Sequence, residues 1–332
     1  MVSQVDYKSE REIVKIMRRR LLINKAVEFY NSKVNLVAFT GFLLALFFSS
    51  FSYSSVVGNL SGEVTVSSGM VNYQLPISLP PGAHEFSPSV SVNYSQTSGS
   101  GTLGIGFSLA ASSSISRCTP NVKEDGFFAG IEVNELSRFC HDGQRLVPVG
   151  GVNGGVGVEY KVRSGDNNVL YQSIGGSTYR PDHWIVKTPG GRILTFGKVS
   201  DLQERFTSWQ LLQQEDQFGN AVVYDYSQEI STGSEASTPL LDKITYAIHE
   251  VSFYYEDSNV FMQQYQDGRR IALTKRLNTI KIKTNNNLSY EYRFSYETIA
   301  SYTSVDRLTP IEKCYSDGSC LNPQQFGYQA LH

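Results

Sequence analysis

Gly99-x-Gly101-x-x-Gly104, with Gly106 two residues on, has the spacing that lets a backbone approach a dinucleotide pyrophosphate at the start of a helix. That chemistry needs a helix directly after the glycines. Ile105-Gly106-Phe107-Ser108-Leu109 reads as strand instead, so the four glycines are expected to form a tight turn with close chain approach, and no cofactor is expected. The histidines His84, His141, His183, His249 and His332 have no G-x-S-x-G partner, and no Cys/His spacing suits zinc. Neither a catalytic residue nor a metal ligand is therefore assigned. Cys140-His141 could supply a thiolate and its base, but a disulfide-bonded Cys140 beside a solvent-facing turn histidine is the expected arrangement. Glu215-Asp216 and Glu256-Asp257 fall in expected turns, where solvated charge accounts for them. Asn93-Tyr94-Ser95 and Asn287-Leu288-Ser289 match the glycosylation acceptor only formally.

The four cysteines, Cys118, Cys140, Cys314 and Cys320, all lie beyond an apolar leader, where an oxidising compartment would pair them. Tyr315-Ser316-Asp317-Gly318-Ser319 between the last two is a turn that folds the chain back, which pairs Cys314 with Cys320 and leaves Cys118 for Cys140.

The first 35 residues hold eight of the 29 basic residues (Lys8, Arg11, Lys15, Arg18, Arg19, Arg20, Lys25, Lys33) and four of the 31 acids. The uncharged run Leu36 to Phe48 follows, of h-region length, and Ser52 and Ser54 then suit cleavage after Ser54. Residues 1–54 are thus read as a signal peptide, or as a signal anchor if retained, with Met17 as a more ordinary start. The remainder carries 21 basic and 27 acidic residues and no basic stripe, so nucleic acid is not an expected partner.

With 20 Tyr, 18 Phe and 28 Gly, the chain has the makings of many short aromatic strands joined by tight turns. Strands are expected at Glu63–Ser67, Val71–Leu79, Ser89–Tyr94, Phe107–Ala111, Gln144–Val149, Tyr160–Arg163 and Val169–Ile174. Hairpins are expected across Pro189-Gly190-Gly191, across Asp216 to Asn220 and across Asn285-Asn286-Asn287. Their second strands share an ending: Tyr224-x-Tyr226, Tyr290-x-Tyr292, Phe294-x-Tyr296 and Phe326-x-Tyr328 form a weak repeat that would present an aromatic ladder. Ser231 to Pro239 is expected to be an exposed, disordered loop.

Ser87–Leu109 (SPSVSVNYSQTSGSGTLGIGFSL), Ile115–Cys118 (ISRC), Arg138–Val147 (RFCHDGQRLV), Asp216–Tyr226 (DQFGNAVVYDY) and Arg307–Gln329 together resemble the SpvB-like domain. That domain opens Salmonella virulence plasmid B proteins, Tc insecticidal toxin B components and Rhs/YD-repeat proteins. The resemblance runs from Gly58 to Gln329 and implies an all-β fold of stacked antiparallel hairpins and sheets, forming part of a shell around a toxic segment. The only E-x-E, Glu10-Arg11-Glu12, lies before the apolar run, in leader sequence that export would remove or leave on the wrong side, which argues against the ADP-ribosyltransferase activity found in the family's toxin halves. The expected layout is 55–200 as an SpvB-like β domain and 201–332 as a continuous YD-like hairpin region.

The function read from this is a non-catalytic module of a secreted toxin-related protein, periplasmic, cell-surface or extracellular, and expected to associate or precipitate alone. Its partners would be downstream Rhs/toxin segments, a partner protein or a host surface, with membrane contact only through an uncleaved leader. A secreted adhesin with an aromatic surface, or a truncated toxin gene product ending at His332, are the alternatives.

Overall fold

A computed structural model describes residues 58–163, 168–199, 208–229, 238–266, 269–299 and 305–328, all within one unit, Ser55–His332. The expected leader helix and the core of the Ser231–Pro239 loop lie outside them. The described chain is all-β, as read from its composition.

Two small sheets come first. Strands β1 (Glu63–Ser67), β2 (Met70–Pro76), β3 (Ser91–Ser95) and β6 (Phe107–Ala110) form an antiparallel sheet in the order β1-β2-β3-β6. Between β3 and β6 a two-stranded tongue projects, β4 (Ser100–Gly101) and β5 (Gly104–Ile105). The strand expected to reach Leu79 stops at Pro76, whose ring cannot donate to a ladder.

The next eight strands are β7 (Ser114–Cys118), β8 (Arg138–His141), β9 (Gln144–Pro148), β10 (Glu159–Val162), β11 (Leu170–Ile174), β12 (His183–Lys187), β13 (Ile193–Gly197) and β14 (Ser208–Glu215). Each pairs with the next in sequence, and β14 pairs with both β13 and β7, which closes a barrel. Alternation fills it: Ile115, Phe139, Leu146, Tyr160, Val162, Trp184, Val186, Phe196, Trp209 and Leu211 are all buried. Before β8, a single helical turn, α1 (Val122–Asp125), is capped by the Asn121 side chain, which accepts from Glu124 N at 2.9 Å, and ends at Gly126 in the left-handed region.

Strand β14 is the seam. Ser208–Gln210 pair with β7 on one edge, while Gln213–Glu215 on the same edge pair with β15 (Ala221–Glu229). From there a ladder runs in chain order through β16 (Thr238–Tyr246), β17 (His249–Gln266), β18 (Arg269–Thr284), β19 (Asn287–Ile299), β20 (Val305–Tyr315) and β21 (Gln324–Gln325). The turns follow the sequence reading: Asn285 and Asn286 take φ of 50° and 64°, and Asp216 Oδ1 accepts from Phe218 N and Asn220 N. Three expectations are corrected. Thr238 and Pro239 begin a strand rather than ending a loop, Pro239 opposite Gln228 near the strand start where its missing donor is tolerated. Strand β18 begins eight residues before Leu277, because polar residues on its wetter side mask the apolar run. Glu256 and Asp257 lie within β17, not in a turn, directly opposite Arg276 and Lys275.

Candidate functional site

The four glycines build the tongue rather than a phosphate cradle. Only Gly104 and Gly106 have positive φ, 83° and 78°, and a strand, β6, follows them. A Cβ on Gly104 would stand 2.5 Å from the Asp306 carbonyl oxygen, and one on Gly106 would stand 2.5 Å from the Tyr94 ring, whereas Gly99 faces open space. The missing side chains let the tongue lie on the ladder. Thr102 O accepts from Leu277 N at 2.7 Å, and Leu103 is fully buried at the tip.

Under the tongue sits a charged cluster. Arg276 donates through Nε to Glu256 at 2.7 Å and through Nη1 to Asp306 at 3.0 Å, and its guanidinium stacks 4.8 Å over Tyr296. Asp306, itself buried, also accepts from Ser258 Oγ at 2.6 Å and from Thr298 Oγ1 at 2.7 Å. Burial opposes the Arg276 charge, but Glu256 and Asp306 hold its pKa above the ordinary value. The space left among Ser100, Gly101, Gly104, Arg276 and Asp306 is about 10 Å³, room for one water at most.

The expected aromatic repeat exists, but its rule is different. Tyr226, Tyr255, Tyr296 and Tyr328 each donate the phenolic hydroxyl to a leucine carbonyl earlier in the chain: Leu211 (2.9 Å), Leu241 (2.9 Å), Leu277 (2.6 Å) and Leu308 (2.8 Å). The first three tyrosines each stand opposite the next leucine in register, Leu241, Leu277 and Leu308, with a register shift just before every tyrosine. Phe196 opposite Leu211 repeats the pairing at the barrel seam. The result is a chain of contacts across the sheet, leucine to tyrosine to leucine, with all four leucines buried. Burial pushes the Tyr226 and Tyr328 phenols up to about 12 and Tyr296 well above its usual range. Tyr290 and Tyr292 do share a face as expected, their rings 6.2 Å apart, but they reach over to the small sheet, where Tyr290 Oη donates to Ser78 O and Tyr292 Oη accepts from Ser78 N.

The leucine half of the repeat was missed. Its signal is the Leu-x-x-Ile spacing at Leu241–Ile244, Leu277–Ile280 and Leu308–Ile311, in which every isoleucine is fully buried. Nothing in the sequence links Arg276, Glu256 and Asp306, which only strand register and the tongue bring together.

Both disulfides join the expected partners. Cys118–Cys140 ties β7 to β8 within the barrel wall, and Cys314–Cys320 closes the Asp317-Gly318 turn. Cys140 therefore offers no thiolate, and His141 is not solvent-facing. Its ring packs against Tyr171 and Phe196, and Nδ1 lies 2.9 Å from Tyr171 Oη. Burial lowers the His141 pKa against the opposing Asp142 charge and, with Asp142, pushes Tyr171 up to about 12, so both sit neutral at pH 7.

The barrel interior is a packed plug. Trp184 and Trp209 stack edge-on at 5.9 Å, Phe139 and Tyr160 close around Trp184, and the Arg117 guanidinium lies 5.2 Å over Phe139 and 5.4 Å over Trp209. Trp209 Nε1 donates to Pro181 O at 3.0 Å, and Arg117 donates to Ser137 Oγ and Tyr179 O. Arg145, also buried, is held by Glu124 and Asp125 of α1, which pins that turn over the barrel.

A plugged barrel continuous with a hairpin ladder is the stacked-hairpin shell type of all-β fold, and solved structures share it. The TcdB2-TccC3 crystal structure matches with a TM-score of 0.66 at 17% identity, over 83% of this chain. The Photorhabdus luminescens Tc holotoxin pore matches at 0.65 and 16% identity, over 85% of this chain. The chain spans about one sixth of those chains, 17% in each. The N-terminal domain of the effector SpvB from Salmonella typhimurium strain LT2 matches at 0.59 and 15% identity, covering 72% of this chain and 98% of that one. No curated protein sequence matches. The family model described as Salmonella virulence plasmid 65kDa B protein (SpvB) matches residues 65–299, and the chain belongs to that family.

Proposed function

We propose that this chain is a non-catalytic, exported structural module that docks with further toxin-related segments to form part of an encapsulating β shell. The observation that carries the reading is the fold: the same architecture recurs as about one sixth of much longer Tc toxin chains. The tryptophan-filled barrel supports a scaffold role, as does a glycine motif spent on packing the tongue. Two disulfides suit an oxidising compartment and agree with an export leader at residues 1–54.

The test is to purify the protein from its native source, measure its assembled mass by light scattering, and assay it for transfer from labelled NAD. A complex heavier than the 37.0 kDa chain, without transfer, is the expected result. A monomer at every concentration, or turnover that copurifies with the chain, would overturn the reading.

A further inference from the structure

The residues just beyond the Cys314–Cys320 bridge hold the stretch that leads into β1. Asn322 N donates to Gly58 O at 2.9 Å, Leu60 N donates to Asn322 O at 3.1 Å, and Asn322 Nδ2 donates to Asn59 Oδ1 at 2.9 Å. Asn59 and Asn322 thus form a parallel bridge, and a Cβ on Gly58 would stand 3.1 Å from Leu321 Cδ2. Residues 58–60 lie between the expected cleavage point after Ser54 and β1, so this contact fixes how the chain enters the small sheet.

Asn322 is placed in turn by the disulfide. Cys314 is buried in β20, and the bridge closes a hairpin in which Tyr315 N donates to Ser319 O at 2.7 Å and Leu321 N to Lys313 O at 2.9 Å. The β20 side of that hairpin is fixed, because Lys313 Nζ sits 4.3, 5.5 and 5.6 Å from the ring centres of Tyr290, Tyr292 and Tyr315. Beyond Asn322 the chain is anchored again by Phe326, whose ring packs 4.8 Å from Phe107 and 5.4 Å from Tyr73. Between those anchors, Cys320 is where residues 319–322 are tied covalently to the ladder. The two disulfides also differ in access. Cys320 is exposed, whereas Cys140 is buried and its bridge spans strands already in register, with Ser116 opposite Cys140 and Cys118 opposite Arg138.

We propose that Cys314–Cys320 is a redox-addressable site whose state latches or releases residues 58–60, and that its reactant is a dithiol. One thiolate of the dithiol attacks Cys320 Sγ, forming a mixed disulfide and expelling the Cys314 thiolate, which takes up a proton. The second thiolate then attacks the reductant's own sulfur in the mixed disulfide and expels Cys320, which is protonated likewise. Two electrons and two protons pass to the protein, and the dithiol becomes a disulfide. Freed of the bridge, residues 319–322 fray from β20 and Asn322 leaves Gly58 and Leu60, while the barrel and the Phe326 anchor stay in place. The inference rests on the export reading above, in which an oxidising compartment closes the latch once the chain has left a reducing one.

The test is hydrogen–deuterium exchange on the full chain, before and after reduction by dithiothreitol without denaturant, with free thiols trapped by iodoacetamide. Cys314 and Cys320 are expected to be alkylated at least about tenfold faster than Cys118 and Cys140. Exchange at the Leu60 and Asn322 amides should then rise at least about tenfold, with peptides around Trp184 and Phe326 unchanged. Asn322→Pro, which lacks the donor to Gly58 O, should raise exchange at Leu60 with the disulfide intact. Protection at Leu60 that survives reduction of Cys314–Cys320, or survives Asn322→Pro, overturns the proposal. So does earlier alkylation of Cys118 and Cys140, or exchange that rises equally around Trp184, which would make the bridge a staple of the whole fold. Thiol trapping at lysis of the native source separates the two levels. Four free thiols there sink the export reading, whereas a Leu60 amide indifferent to reduction sinks this inference alone.

Discussion

Gly104→Ala is the substitution whose cost the structure fixes most tightly. The residue sits at φ 83°, where an L side chain costs about 1–2 kcal/mol. Its Cβ would also meet the Asp306 carbonyl oxygen at 2.5 Å and the carbonyl carbon at 3.1 Å, backbone atoms of β20 that cannot rotate away. Forcing such an overlap apart costs about another 1–3 kcal/mol, so the expected loss is roughly 2–5 kcal/mol. Gly99→Ala, at ordinary φ and in open space, is expected to be neutral or to stabilise by up to about 1 kcal/mol. The assay is equilibrium urea unfolding followed by the fluorescence of buried Trp184 and Trp209. Gly104→Ala should shift the midpoint down by about 1 M or more, taking an m-value of roughly 2–3 kcal/mol/M. Equal damage from Gly99→Ala and Gly104→Ala would refute the packing account, because it would mean that all the glycines serve a common site.

The remaining expectations follow from the same contacts. Replacing Cys118 and Cys140 with serine should cost about 3 kcal/mol and replacing Cys314 and Cys320 about 2 kcal/mol, from loops of 22 and 6 residues, measurable as midpoint shifts. Tyr296→Phe should cost about 1–3 kcal/mol by leaving the Leu277 carbonyl without its phenolic donor, while Tyr254→Phe, at an exposed position of β17, serves as a near-neutral reference. The buried phenols make the fold alkali-sensitive. Tyr226 and Tyr328 titrate at about 12 when folded against about 10 unfolded, so their contribution is full below pH 10 and lost as pH rises through 12. The last part of the phenolate absorbance should then rise together with loss of circular dichroism, and ionisation of all 20 phenols near pH 10 in a still-folded protein would contradict the burial. Asp125→Ala removes a carboxylate that serves both Arg138 at 2.7 Å and buried Arg145 at 3.1 Å, and should cost about 3–5 kcal/mol in thermal or urea unfolding.

Local chemistry was legible in the sequence because it is local. Turns declared themselves through Asn285-Asn286 and Asp317-Gly318, whose side chains or missing Cβ fix backbone geometry within a few residues. Alternation announced β12 and β14, since Trp184, Val186, Trp209 and Leu211 must share a buried face whatever they pack against. The cysteine pairing was readable because a six-residue loop around a turn leaves little choice. Long-range register was not. That β14 lends one edge to both β7 and β15 depends on where a closed barrel meets an open ladder, a property of eight strands together. Tyr296 meets Leu277 O beside a register shift in β19, and Asp306 reaches Arg276 only because β19 pairs with both β18 and β20 and sets the two side chains together across it. Sequence determined which segments become strands and how they turn. Tertiary structure decided which strands meet, because pairing energy depends on partners far along the chain that no local pattern records.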